Sequence, residues 1–165
     1  MADDCFAHPL LASLYDPLDP DRGDLDAYVR MAEEFDAHRV LDIGCGTGVF
    51  ALLLAARGKE VVGVDPARAS IDVARAKPGS ERVRWICGDA TTLPPLRVDL
   101  ATMTANVAQA IVEPGDWRAT LRGAHEALRP GGRLVFETRE GYTVEDIREA
   151  PDRPGLEFVF VARRS

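Results

Sequence analysis

Arg39-Val40-Leu41-Asp42-Ile43-Gly44-Cys45-Gly46-Thr47-Gly48 carries the decision about fold. Val40 to Ile43 is a short, mostly apolar run that reads as a strand, and it ends in three glycines at alternate positions. From Val49 to Arg57 the chain turns Ala- and Leu-rich, reads as a helix and is stopped by Gly58. Alternate glycines let a backbone approach a ligand closely and present N–H groups at a helix N-terminus. The same loop is also what a tight strand-to-helix turn needs, so it does not by itself name a ligand.

The alternation repeats outward from this stretch. Val61-Val62-Gly63-Val64 is a strand ending at Asp65, followed by a helix from Pro66 to Ala76 with Asp65 as N-cap and Pro66 at its first position. Val83 to Cys87 is a strand ending at Gly88-Asp89, and Val98 to Thr104 runs into Ala105-Asn106. Trp117, Leu121, Ala124 and Leu128 mark one face of a helix from about Asp116, closed by Pro130-Gly131-Gly132. Arg133 to Thr138 and Leu156 to Arg163 are the last strands. Upstream, Leu25, Tyr28, Val29, Ala32 and Phe35 recur at helical spacing behind Asp24 as N-cap. Residues 1–23 read as a lead-in segment over the site, with Asp16-Pro17 and Asp19-Pro20 as turn signals. Strands alternating with helices mean βαβ units, so the fold class is α/β: a Rossmann-like, doubly wound, mostly parallel sheet.

Composition narrows the partners. A chain of 165 residues, 46% hydrophobic and 28% charged, is expected to form a single globular domain over 1–165. Its net charge of −7 argues against nucleic acid and anionic membrane surfaces. No run approaches the roughly 18 apolar residues of a membrane span, and the N-terminus lacks the basic flank and apolar core of a signal peptide. Cys5, Cys45 and Cys87 form neither a paired framework nor a CxxC, which predicts reduced thiols and a cytoplasmic location. His8, His38 and His125 have no companions that suggest a ligand set, so no metal is expected.

Spacing then sorts the phosphate-loop readings. A dinucleotide fingerprint wants its third glycine three residues past the second, where this chain has Val49, and no Gly-Lys-Ser/Thr follows for a Walker loop. In such sheets ligands bind outside the carboxyl ends of the strands. Asp65 ends the second strand about twenty residues past the loop, where an acid can accept from both ribose hydroxyls; it is equally placed to cap the next helix. Asp89 ends the third strand, either as acceptor for an adenine amino group or as part of a surface turn. Thr104-Ala105-Asn106 closes the fourth, beside the loop.

As a set, these segments resemble the class I S-adenosylmethionine-dependent methyltransferases. Asp42 to Gly48 is similar to that family's first motif, Val64-Asp65 to its second and Gly88-Asp89-Ala90 to its third. Val98-Asp99-Leu100 resembles the fourth-strand segment, and Leu128-Arg129-Pro130-Gly131-Gly132-Arg133-Leu134 the one before the fifth strand. The likeness covers roughly residues 25–139. It implies S-adenosylmethionine as cofactor, with Gly44, Cys45, Gly46 and Gly48 holding the methionine moiety through the backbone and Asp42 meeting its amino group through water. It further implies Asp65, with Pro66 beside it, at the ribose, Asp89 and the Ala90 amide at the adenine, and Thr104 near the reactive end. Tyr15, ahead of the first helix, resembles a tyrosine that covers the methionine end; an ordinary surface role stays open for it.

An activated sulfonium needs mainly proximity and orientation of a nucleophile. Asn106, Gln109 and Arg139 are the candidate polar groups at the open end, each of them otherwise a solvated or capping side chain. There is no Asn-Pro-Pro-Tyr loop for a flipped base, so a small-molecule acceptor is expected. The tail departs from the family. Thr143-Val144-Glu145-Asp146 reads as a capping box opening a helix to about Ala150, leaving room for one further, antiparallel strand and hence a six-stranded sheet. Two functions follow: a small-molecule methyltransferase, or a catalytically silent cofactor-binding domain with a regulatory or interaction role. A missing sixth strand would also leave the last strand's edge open, which predicts a homodimer through it.

Overall fold

The computed structural model describes residues 7–138, 147–149 and 158–163. Each strand whose run of residues is apolar on both faces lies inside the sheet, and β4 (Val98–Met103) is buried along its whole length, as a strand covered on both sides must be. It pairs in parallel with β1 (Arg39–Ile43) on one side and β5 (Leu128–Thr138) on the other. β1 pairs in parallel with β2 (Glu60–Asp65), and β2 with β3 (Val83–Cys87). Two further strands, β6 (Ile147–Glu149) and β7 (Phe158–Arg163), complete the order β3-β2-β1-β4-β5-β7-β6. β7 runs antiparallel to both β5 and β6.

Alternation along each strand builds two cores. On one face Val40, Leu100 and Val135 pack with Tyr28, Val29 and Met31 of α2 (Asp26–Glu34) and Phe50 and Leu54 of α3 (Val49–Ala55). On the other face Leu41, Ile43, Ala101, Met103 and Leu134 meet Ala124 and Ala127 of α6 (Pro114–Ala127). Trp117 of α6, expected in the core, is half-buried and packs edge-on against Phe136 at the margin of the second core. The remaining helices are α1 (Pro9–Leu18), α4 (Arg68–Ala76) and the single turn α5 (Val107–Ala110).

Several expectations are corrected. The sheet has seven strands among the described residues, not six. Most of the segment expected as a helix from Thr143 to Ala150 lies outside the described residues, but Ile147–Glu149 within it is a strand. Over Ile147–Glu149 the expected helix gives way to pairing with the open edge of β7, whose backbone groups need partners. Ile147, Arg148 and Glu149 pair with Phe160, Val159 and Phe158, so the open edge on which a strand-mediated homodimer was argued is occupied within the chain.

The lead-in contains a ten-residue helix rather than turns alone, with Pro17 inside it and the His8 imidazole accepting from the Leu10 N–H at its start. Asp24 sits in a 3-10 turn, Gly23–Leu25, and pairs with Arg22 instead of capping α2. Helix α4 begins at Arg68 with Ala67 as its N-cap, so Pro66 precedes it and Asp65, which accepts from Ala67 N, is not the N-cap it was expected to be. Pro130-Gly131-Gly132 lies inside β5, at an irregularity in register with β4 between Val98 and Leu100.

Candidate functional site

Gly44, Gly46 and Gly48 all adopt left-handed backbone, with φ of 70°, 53° and 80°. Their reasons differ. A Cβ on Gly44 would lie 2.5 Å from Val107 Cγ2, and one on Gly48 only 2.4 Å from the Trp85 ring. Those two glycines are small because the protein packs against them. A Cβ on Gly46 would meet nothing within 4 Å, so the middle glycine borders open space. The loop is hung on β2, because Gly44 N and Cys45 N both donate to Val64 O.

Two carboxylates flank it. Asp65, 8% exposed, accepts from Gly46 N through Oδ2 and from Ala67 N through Oδ1, each at 2.8 Å. It therefore ties the glycine loop to the start of α4; burial raises its carboxyl while those two N–H donors oppose the rise. Asp42, 1% exposed, takes the Thr102 hydroxyl on Oδ1 at 3.0 Å. Its Oδ2 is buried with no hydrogen-bond partner among the described residues. Burial pushes the Asp42 carboxyl up to about 7, against the Thr102 hydrogen bond, with the nearby Asp65 charge adding to the rise and Arg22 opposing it. The Cys45 thiol is pushed well up by burial and by both carboxylates, which leaves it a packing group and not a nucleophile.

The other expected residues are placed as follows. Pro66 is exposed, with its carbonyl 3.9 Å from Cys87 Sγ. Asp89 is exposed, and its Oδ1 accepts from both Thr91 N and Thr91 Oγ1, the surface turn that was the alternative for it. Ala90 is 2% exposed, and its carbonyl fits against Gly123, where a Cβ would clash at 1.9 Å. Thr104 is buried at the end of β4, and Ala105 and Asn106 follow with positive φ. Asn106 accepts from the Gln109 amide at 3.3 Å. Tyr15 is half-buried on α1. Arg139 lies outside the described residues. An open groove lined by Leu93, Pro94, Leu96, Ala119 and Arg122 shares only Ala90 with this set and belongs to the α6 side.

Sequence reasoning missed a second ring of residues. Asp16 of α1 accepts from Thr47 Oγ1 at 2.6 Å and pairs with Lys77 Nζ at 2.5 Å, and Lys77 also donates to the Thr47 carbonyl at 2.7 Å. Helix α1 is thereby fastened to the glycine loop and to the end of α4. Glu137, 5% exposed at the end of β5, accepts from the Tyr28 hydroxyl and from Asn106 N. The signal for Thr102 and Glu137 was present in the chain: polar side chains at inward positions near the carboxyl ends of otherwise apolar strands.

The parts fit the methionine end of the expected cofactor. A buried carboxylate oxygen lacking a donor suits an ammonium group, and the space beside Gly46 admits the chain that carries it. A doubly wound α/β sheet with this loop at the end of β1 and acids at the ends of β1 and β2 defines the class I methyltransferase type. The chain belongs to the methyltransferase-domain family, whose match spans residues 40–132, more than half of its length.

Among curated relatives it is similar to the cypemycin N-terminal methyltransferase of a Streptomyces species, 37% identical over 132 residues, covering 79% of this chain and 52% of that protein. The chain spans about half the length of that relative. Among solved structures it is similar to a TehB-like methyltransferase of Corynebacterium glutamicum, with a TM-score of 0.76 at 22% identity over 96% of this chain and 100% of the other, a likeness of fold alone. It is also similar to an S-adenosylmethionine-bound amino pentose methyltransferase of Micromonospora echinaspora, with a TM-score of 0.65 at 27% identity over 91% and 68% of the two chains. No described helix is long and apolar enough to cross a membrane.

Proposed function

We propose that this domain binds S-adenosylmethionine at the Asp42–Gly48 loop and catalyses methyl transfer to a small-molecule acceptor. The single observation that carries the reading is Asp42 Oδ2, a buried carboxylate oxygen with no donor among the described residues, on the floor of a loop whose middle glycine borders open space. Leaving such an oxygen unpaired is costly unless a donor arrives with a ligand. The cofactor's ammonium group is that donor. When bound, the cofactor supplies a methyl group already activated by its sulfonium.

The chain's own residues then bind, orient and exclude water. Arg22, 16% exposed in its side chain and paired with Asp24 at 3.2 Å, stands near enough to Asp42 to favour its charge. We assign it to the cofactor's carboxylate. Asp65 can keep the Gly46 and Ala67 N–H groups and still accept from ribose hydroxyls, because each carboxylate oxygen offers two lone pairs. Asp89 offers Oδ2 to the adenine while Oδ1 holds Thr91. Asn106, Gln109 and Arg139 remain the acceptor-side candidates, and Tyr15 and α1 cover the loop. A small-molecule acceptor is supported by what the amino pentose methyltransferase is named for. Free Cys45 and Cys87 suit a reducing cytoplasm.

Titration calorimetry with S-adenosylhomocysteine and with NAD tests the reading. We expect micromolar affinity for the first and far weaker binding of the second; equal affinities would overturn it. Release of S-adenosylhomocysteine with acceptors identified by mass spectrometry of co-purified ligand separates an active transferase from a silent binding domain.

A further inference from the structure

The turn after β4 is strained. Ala105 and Asn106 hold φ of 55° and 67° in succession, a conformation that costs an alanine roughly 1–2 kcal/mol and an asparagine less. Something must hold the turn there. Asn106 N donates to Glu137 Oε1 at 2.9 Å, and the other oxygen of the same buried carboxylate takes the Tyr28 hydroxyl. Met103 registers with Phe136, so Glu137 stands beside Thr104, one step past the paired ends of β4 and β5. Directly after the turn, Val107 seats its Cγ2 against the space where Gly44 lacks a Cβ. A physical chain therefore runs from Glu137 through the Asn106 turn and Val107 to the first glycine of the loop.

We propose that Glu137 is a positioning residue of the cofactor site: it holds the Ala105-Asn106 turn in its left-handed form and so keeps Val107 closed over Gly44. The residue is 5% exposed and both carboxylate oxygens are engaged, so it acts through the turn and not on a reacting atom. A charge-assisted acceptor is stronger than a neutral one, which explains a carboxylate here in place of an amide. The proposal rests on the loop being the cofactor site.

The test uses the whole chain, S-adenosylhomocysteine as probe, and amide NMR. In the wild type the Asn106 amide proton is expected downfield and slow to exchange; rapid exchange there would overturn the proposal without any variant being needed. Glu137→Gln should move that proton upfield, raise its exchange about tenfold or more and weaken S-adenosylhomocysteine about fivefold to tenfold. Val107→Ala should weaken the ligand to a similar degree while leaving the Asn106 amide protected. Tyr28→Phe, which removes the donor to the other oxygen, should lower the melting temperature and leave both the Asn106 amide and the affinity unchanged. Overturning results are an Asn106 amide indifferent to Glu137→Gln, an affinity that does not follow it, or a Tyr28→Phe effect on the amide as large as that of Glu137→Gln. Absence of S-adenosylhomocysteine binding in the wild type would instead overturn the cofactor reading and leave the Asn106 result standing as a separate fact.

Discussion

Thr102 Oγ1 donates to one oxygen of Asp42 at 3.0 Å and leaves the other buried without a donor among the described residues. That asymmetry makes a pH prediction. Burial raises the Asp42 carboxyl to about 7, so the ligand-free protein holds an extra proton there between its ordinary titration near 4 and about 7. For an acid raised in the folded state, the linked stability is present below the unfolded pKa and is lost as pH rises through the folded one. Binding an ammonium group reverses the preference, because it needs the carboxylate. S-adenosylhomocysteine should therefore bind about tenfold tighter per pH unit on approaching 7 from below, with release of one proton. Asp42→Asn should bind weakly and without that dependence. Calorimetry at pH 5.5 to 7.5 in buffers of different ionisation enthalpy decides; a flat affinity with no proton release would count against Asp42 as the ammonium partner.

The glycines separate binding from folding. Gly46→Ala places its Cβ in open space, so the fold should lose only the left-handed penalty of about 1–2 kcal/mol. The cofactor channel is narrowed, however, and affinity should fall by more than stability does. Gly46→Val should be worse on both counts. Gly48→Ala drives a methyl group into Trp85 and should cost the fold first. Urea denaturation beside titration calorimetry checks this, and a Gly46→Ala protein that binds normally would move the site off the loop.

Asp65 serves the loop and, on our reading, the ribose. Asp65→Ala should weaken S-adenosylhomocysteine by about 1.5–3 kcal/mol, the loss of hydrogen bonds to a charged acceptor. It should also lower the melting temperature, since Gly46 N and Ala67 N lose their acceptor. Ribose recognition is isolated with the 2′-deoxy analogue, which should bind less well than the parent to the wild type but equally to Asp65→Asn. An unchanged penalty in the variant would leave Asp65 a structural clamp only.

What was legible in the chain was whatever local pattern controls. The apolar runs of β1, β2 and β4 and the glycine loop are dictated by burial on both faces and by backbone conformation at fixed positions, so they could be read directly. The helix expected from the capping box does not hold over Ile147–Glu149, because the edge of β7, distant in sequence, decides the conformation of those three residues. Glu137 went unread, and Asp16 was read only as a turn signal, for a related reason. Their partners, Asn106 and Tyr28 for the one, Thr47 and Lys77 for the other, stand 31 to 109 positions away along the chain. Only the strand register and the seat of α1 bring them together. Asp65 was read both as a cap and as a ligand residue; its two oxygens divide between Ala67 and Gly46, and neither contact alone would have revealed that division.

A second buried carboxylate pins the opposite end of the same strands. Asp99, 8% exposed at the start of β4, accepts from His38 N and Arg39 N at 2.9 and 2.8 Å and from Arg129 Nε at 2.5 Å. Burial alone would raise its carboxyl, but the Arg39 and His38 amides and the Arg129 guanidinium outweigh it and hold the carboxyl below its ordinary value. An acid lowered in the folded state contributes stability that is present above its unfolded pKa and is lost as pH falls through the folded one. Asp99→Asn should thus lower stability at neutral pH by about 2–3 kcal/mol, the worth of charge-assisted hydrogen bonds at a nearly buried site. The difference from the wild type should shrink as pH drops below about 4. Four residues of extended β4, about 13 Å of strand, follow Asp99 towards the glycine-loop end, so S-adenosylhomocysteine affinity should not change. Urea midpoints from pH 3 to 7 with calorimetry at pH 7 measure both. A variant of normal stability would show that Asp99 does not hold the starts of β1 and β5, and one of normal stability but impaired binding would place it in the site instead.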